Sequence, residues 1–262
     1  MPEQTGDDRP IRVAHRFRLD GKRVLVTGAG KGLGAACAEA IAEAGAHVIL
    51  LSRSSEPLDR VKAKIEAQGG SADTVVQDVT DIEGTRAALE EIGPVDGLVN
   101  NAGSNQPEPF TQVSVETYDR LFGVNVRACF FVAQAVVTAM IDAGIKGTIV
   151  NMSSQMGHVG APNRTVYCAG KHAVEGLTKA MAWDLGGHGI RVNTVCPTFV
   201  ETPLTRPFFE DPAFKADTLS RLALGELGQL EDVAAATLYL ISPASGSVTG
   251  SSVMVDGGWT AR

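Results

Sequence analysis

Short runs of β-branched and aliphatic residues alternate with amphipathic stretches along almost the whole chain, and this alternation narrows the fold more than any other feature. The runs are Arg23–Thr27, His47–Ser52, Ala72–Gln77, Gly97–Asn100, Gly147–Met152, Arg191–Cys196 and Val253–Val255. Helical stretches fall between them, at Gly34–Ala44, Pro57–Gln68, Ile82–Ile92, Val115–Ala143, Val166–Gly186 and Glu231–Ile241. Leu-Val and Ile-Val runs with little polar alternation suit strands covered on both faces. Joined by right-handed crossovers, they predict an α/β fold, a doubly wound seven-stranded parallel sheet of Rossmann type.

No linker divides the 262 residues, so residues 19–262 are expected to form a single domain, preceded by an N-terminal extension, residues 1–18, expected to be a mobile tail. Arg9, Arg12, Arg16, Arg18, Lys22 and Arg23 make that end basic, but the formal net charge is −7, which argues against nucleic acid as a partner. Cys37, Cys129, Cys168 and Cys196 are scattered without metal-ligand spacing, so no metal is expected and the thiols are expected to be reduced, as in a cytoplasmic protein. No apolar signal core and no stretch suited to spanning a membrane is apparent. One segment, 203–226, escapes the alternation and carries Phe208, Phe209 and Phe214 among charged residues. A connection of that length is expected to be a lid or substrate loop, with a surface helical pair as the alternative.

Between the first strand and the first helix lies Thr27-Gly28-Ala29-Gly30-Lys31-Gly32-Leu33-Gly34. Glycines there let the backbone approach a pyrophosphate, and the following helix start offers unpaired N–H groups and a positive dipole end. A carboxylate closing the second strand would hold the ribose hydroxyls of NAD. Ser52 stands there instead, followed by Arg53, and with Lys31 in the turn two cations can converge on a 2′-phosphate. NADP(H) is therefore favoured over NAD(H).

Tyr167 and Lys171 are one helical turn apart on one face. A phenol needs help to act as a base near neutrality, and a neighbouring ammonium stabilises its anion. Tyr167 is thus expected to be the acid in carbonyl reduction and the base in alcohol oxidation. Ser154, after the fifth strand, is placed to hydrogen-bond the substrate oxygen. Its surroundings, Met152-Ser153-Ser154-Gln155-Met156-Gly157, lack the Gly-x-Ser-x-Gly elbow of a hydrolytic nucleophile.

Thr27-Gly-x-x-x-Gly-x-Gly34, Asp78-Val79, Asn100-Asn101-Ala102-Gly103, Asn125, Ser154, Tyr167-x-x-x-Lys171 and the Pro197-to-Thr202 segment occur in order, and on them the chain resembles the short-chain dehydrogenase/reductase family from about Leu19 to Gly258. The resemblance implies that the Gly28–Gly34 turn, Leu33 included, holds the pyrophosphate, that Asp78 and Val79 flank the adenine, and that Asn101, Ala102 and Gly103 pack on the cofactor. It further implies that Pro197, Val200 and Thr202 lie at the nicotinamide with Tyr167 and Lys171, and that Asn125 anchors a water in a proton relay to Lys171. From the residues alone, an Asn inside a helical stretch is a local kink or a solvated position. Thr198 stands where the family usually has Gly, adding a side chain near the nicotinamide.

Gln155, His158, Asn163, Arg164, Asn105, Gln106 and Glu201 would give a hydrogen-bonding cleft suited to a small polyol, sugar or sugar acid, with Arg164 and Arg206 for a carboxylate. Phe199, Phe208, Phe209 and Phe214 suit the alternative of a 3-oxoacyl thioester reductase. A non-catalytic NADP(H)-binding sensor is disfavoured by the intact Ser154, Tyr167 and Lys171. The helices carrying Asn125 and Tyr167 hold surplus apolar residues (Cys129, Phe130, Phe131, Val132, Ala173, Val174, Leu177, Met181), and the resemblance implies pairing of such helices in a homotetramer or homodimer, with Gly257-Gly258-Trp259 near an interface.

Overall fold

The computed structural model describes residues 12–201, 205 and 209–261. Its strands are β1 (Arg23–Thr27), β2 (His47–Ser52), β3 (Ser71–Val76), β4 (Gly97–Asn100), β5 (Thr148–Met152), β6 (Arg191–Pro197) and β7 (Ser252–Val255). They form one parallel sheet in the order β3-β2-β1-β4-β5-β6-β7. The chain turns back across the sheet between β1 and β4, so a crevice opens at the carboxyl ends of these two strands.

The helices are α1 (Gly32–Glu43), α2 (Ser55–Ala67), α3 (Ile82–Ile92), α4 (Val115–Phe122), α5 (Ala128–Asp142), α6 (Thr165–Gly186), α7 (Pro212–Ser220) and α8 (Leu230–Ile241). Alternate strand residues feed two cores. Val24, Val26, Val48 and Leu50 pack with Cys37 and Ile41 of α1, Leu58 of α2 and Val233 of α8. Leu25, Ile49, Leu98 and Ile149 pack with Leu89 of α3, Val132 and Met140 of α5 and Ala182 of α6. Each fully buried aliphatic side chain is worth about 1.5–3 kcal/mol relative to exposure, and both faces of the sheet draw on that term.

The stretch expected as one helix from Val115 to Ala143 is interrupted. Residues Gly123–Arg127 form a π-helical segment between α4 and α5. A wider turn of this kind shifts the apolar pattern by one residue, and in a stretch this rich in apolar residues the periodicity does not reveal the shift. The helical run Val115–Asp142 is long and apolar enough to cross a membrane, which corrects the expectation that no stretch is. Its apolar residues Ala128, Cys129, Val132, Ala133, Val136 and Met140 are buried, which accounts for the composition without a bilayer.

Among its described residues, the segment after β6 holds a helix, in line with the alternative of surface helices. It contains α7, capped by Asp211, whose side chain accepts the Ala213 N–H at 2.9 Å. Phe199 packs on Phe209, Phe214 and Trp259 with ring centroids 5.9, 5.5 and 6.0 Å apart. At the other end of the chain, Arg16 donates to Pro243 O at 2.6 Å and Arg23 to Ile92 O and Pro94 O at 2.7 Å, so these cations hold chain segments together.

Candidate active site

The cofactor side of the crevice is built from backbone and small residues. Thr27, fully buried at the end of β1, accepts the N–H groups of Asn101 and Ala102 on its Oγ1, each at 3.0 Å. Asn101 Nδ2 returns a bond to Thr27 O at 2.9 Å, so the turns after β1 and β4 are locked together. A Cβ on Gly34 would stand 2.3 Å from Gly28 O and 2.5 Å from Asn101 Nδ2. At Gly30 it would meet Pro57 Cβ at 2.9 Å and Ser52 Oγ at 3.2 Å. Gly28 and Gly32 take φ of +66° and +56°, the left-handed region. The helix begins at Gly32, earlier than the periodicity suggested, because these glycines form its first turn. Leu33 leans on the first core, and Lys31 is exposed at the N-cap. A helix start this bare of side chains fits a pyrophosphate.

Ser52 and Arg53 end β2 beside this turn. Arg53 is 77 % exposed, and its Nη1 lies 3.9 Å from Asp78 Oδ2. An acid therefore stands beside this cation although none closes β2: Asp78, distant in sequence, reaches Arg53 through the β2–β3 pairing. The other Asp78 oxygen accepts from Thr80 N and Oγ1 at 2.9 and 2.8 Å, and Val79 is buried in the second core.

Deeper in the crevice, Asn125 sits in the π-helical segment and is buried. It grips the backbone of Ser104, accepting its N–H at 3.0 Å and donating to its carbonyl at 2.8 Å. Gly103 lies over this pair: a Cβ there would be 2.8 Å from Asn125 Oδ1 and 3.9 Å from Lys171 Nζ. Lys171, also buried, donates to Met152 O at 2.7 Å, and its Nζ is 5.5 Å from the centre of the Tyr167 ring. Ser154 Oγ is buried, donates to Gln155 Oε1 at 2.8 Å, accepts from Met156 N at 3.1 Å and is 3.4 Å from Pro197 O. Asn125 and Lys171 thus meet across Gly103, Tyr167 lies beside Lys171 on α6, and Ser154 follows two residues after Met152, whose carbonyl Lys171 holds.

The model of a family described as Enoyl-(Acyl carrier protein) reductase matches residues 28–260. L-xylulose reductase of Bos taurus is 45% identical over 245 residues, spanning 94% of this chain and 99% of the relative. The chain belongs to the short-chain dehydrogenase/reductase family. Gluconate 5-dehydrogenase of Gluconobacter oxydans (strain 621H) is 41% identical over 248 residues, 93% of this chain and 96% of the relative. The solved structure of a gluconate 5-dehydrogenase from Burkholderia cenocepacia J2315, in complex with NADP and tartrate, matches with TM-score 0.92 at 37% identity, covering 96% of this chain and 100% of that one. As a member of the short-chain dehydrogenase/reductases, this protein is an oxidoreductase that acts on CH–OH groups of small molecules with a nicotinamide cofactor.

Around Tyr167 the walls are polar. Arg164, at the N-cap of α6, is buried; burial lowers its pKa, opposed by the adjacent Tyr167 and Cys168. Asn163 before it takes φ of 57°, a conformation asparagine tolerates, and its carbonyl accepts the Glu108 N–H at 3.0 Å. This brings the loop carrying Asn105, Gln106 and Glu108 onto the α6 start. Asn105 Oδ1, Glu108 Oε2 and Thr198 Oγ1 are buried without a hydrogen-bond partner among the described residues. Val200 is buried and bridges to Gly228. Thr202, Arg206 and Phe208 lie outside the described residues. Sequence reasoning passed over two contributors, Thr27 as the bolt between turns and Met152 O as the anchor of Lys171. A threonine closing a strand before a glycine turn is a readable signal for the first; a backbone carbonyl has none.

Proposed function

We propose that this protein interconverts a secondary alcohol and a ketone on a polyol, sugar or sugar acid, with NADP(H) preferred and Tyr167 as acid/base. The observation that carries the reading is the buried Lys171 ammonium beneath the Tyr167 ring, with the Ser154 hydroxyl buried at the neighbouring strand end. When bound, the cofactor supplies or accepts the hydride. Gly28, Gly30, Gly32, Leu33 and Gly34 would hold its pyrophosphate, Lys31, Ser52 and Arg53 its 2′-phosphate, Asp78 and Val79 its adenine, while Asn101, Ala102 and Gly103 would pack on the cofactor and Pro197, Val200 and Thr202 would lie at its nicotinamide. Ser154 orients the substrate oxygen and stabilises charge on it. Tyr167 gives that oxygen its proton in reduction and takes it in oxidation, while Lys171 stabilises the phenolate. Asn125, fixed by Ser104, positions the relay that returns the proton from Lys171.

The polar lining favours a hydroxylated substrate: buried Gln155 and Arg164 flank Ser154 and Tyr167, and the Phe199, Phe209 and Phe214 rings pack on one another. The names of the pentulose and gluconate relatives point the same way. Phe130 and Trp183 stand 43% and 89% exposed on α5 and α6, which supports pairing of these helices in a homotetramer or homodimer, whereas Cys129, Val132 and Val174 belong to the subunit's own interior. We place the protein in the cytoplasm.

The test is nicotinamide absorbance change over polyols and sugar acids with NADP+ and NAD+, and over keto sugars and 3-oxoacyl thioesters with NADPH and NADH, with Tyr167→Phe as the blank. Turnover on the hydroxylated set, lost by about 10^2-fold or more in Tyr167→Phe while NADPH binding is retained, is expected. Turnover confined to thioesters overturns the substrate assignment, and an active Tyr167→Phe removes Tyr167 from the mechanism.

A further inference from the structure

Behind the Tyr167–Lys171 face, three chemically unlike side chains meet that no step above uses. Glu175 is one turn beyond Lys171 on α6, Cys196 precedes Pro197 on β6, and His158 is four residues past Ser154. Cys196 Sγ is 3.3 Å from Glu175 Oε1 and 3.5 Å from His158 Nε2, and His158 Nε2 is 3.5 Å from Glu175 Oε1. Around a tetrahedral zinc with ordinary Zn–N, Zn–O and Zn–S bonds, such ligand pairs would stand about 3.3–3.6 Å apart. The three edges therefore already match one face of a metal-centred tetrahedron.

Two further features fit a cation rather than a plain hydrogen-bonded strut. Glu175 is buried on the sheet side of α6, and its second oxygen is held by Thr194 Oγ1 at 3.1 Å and Ser252 Oγ at 2.6 Å. Hydroxyls on one carboxylate oxygen, leaving the other aimed at imidazole and thiol, are the outer-shell support a ligating carboxylate needs. The one ion-pair partner of this buried acid among the described residues is His158, whose side chain is 31% exposed, so the trio opens to solvent on the histidine side. That gives an entry path for an ion and, on the same side, an approach for a water as the fourth ligand.

We propose that His158, Glu175 and Cys196 form a site for a divalent transition-metal ion of the zinc class. Imidazole, thiolate and a single carboxylate suit zinc or cobalt and disfavour magnesium or calcium. On binding, three ligand bonds form, the Cys196 S–H proton leaves to solvent, and no electron moves. The ligands come from the loop after β5, from α6 and from β6, which is why no spacing in the chain announces them.

The experiment is titration of the chelator-treated protein with cobalt(II), read by the thiolate-to-cobalt charge-transfer band and the visible bands of tetrahedral coordination. A saturating band in the wild type, abolished in Cys196→Ser and weakened more than about 10-fold in His158→Ala, is expected. His158→Ala alters a side chain open to solvent and so reports even where Cys196→Ser fails to fold. Absence of a band at saturating cobalt, a band that remains in Cys196→Ser, or wild-type affinity in His158→Ala overturns the site and leaves the trio as a hydrogen-bonded strut.

Discussion

Around β1 and β4 the crevice wall is backbone. Thr27 and Asn101 bolt two turns together, and the glycines between them leave no space for a methyl group. After β6 the wall is side chains: Phe199, Phe209, Phe214 and Trp259 pack on one another, and Arg221 lies over the Trp259 ring at 5.7 Å. The first wall admits no variation in shape, whereas each ring of the second can be exchanged without moving the sheet. The first region is expected to fail all at once on substitution, the second by degrees.

Gly34→Ala should break the first region most severely. Its methyl would stand 2.3 Å from Gly28 O, a backbone atom that cannot move away. A loss of about 3 kcal/mol in unfolding free energy and at least about 10-fold weaker NADPH binding are expected from denaturant melts and fluorescence titration. Glu175 tests the polar cluster that ties α6 to β6 and β7 behind these walls. Burial pushes its pKa up, but the hydrogen bonds of Ser252 and Cys196 and the charge of His158 outweigh this, so it lies below the ordinary carboxylate value. Its contribution is then complete above that ordinary value and is lost as pH falls through the lowered one. Glu175→Gln should cost about 1–3 kcal/mol near neutrality. The stability curves of wild type and variant should converge in acid; parallel curves would detach Glu175 from the effect.

A smaller change sharpens the cofactor side. Arg53→Asp should shift the NADPH/NADH ratio of kcat/KM by about 10-fold toward NADH, from loss of one charge-assisted phosphate contact. An unchanged ratio would mean that Arg53 serves only Asp78. The smallest effect is expected after β6. Phe214→Ala removes ring contacts worth about 1 kcal/mol, so Tm should fall slightly and KM change while kcat holds. A fall in kcat comparable to that of Tyr167→Phe would place this segment in the chemistry and erase the contrast.

Much of this architecture is legible in the chain. All seven strands lie within one residue or so of the aliphatic runs, because strands buried on both faces must be continuously apolar. Tyr167 and Lys171 were legible as a pair because four residues make one helical turn. The π turn at Asn125 was not, since the one-residue shift it makes in the pattern is hidden where α5 is apolar on most faces. Nor was α7, whose amphipathicity is weak and whose order comes from an Asp211 cap and rings brought from three segments.

By itself, the sequence determined the parallel sheet, the glycine turn and the order of the Ser154, Tyr167 and Lys171 chemistry, because each follows from local periodicity or from residues a few positions apart. Only the tertiary structure decided that Asp78 reaches Arg53, that Lys171 hangs from Met152 O, and that His158, Glu175 and Cys196 share one space. These contacts join strands and helices far apart in the chain, and the distances between their atoms exist only once the sheet has closed.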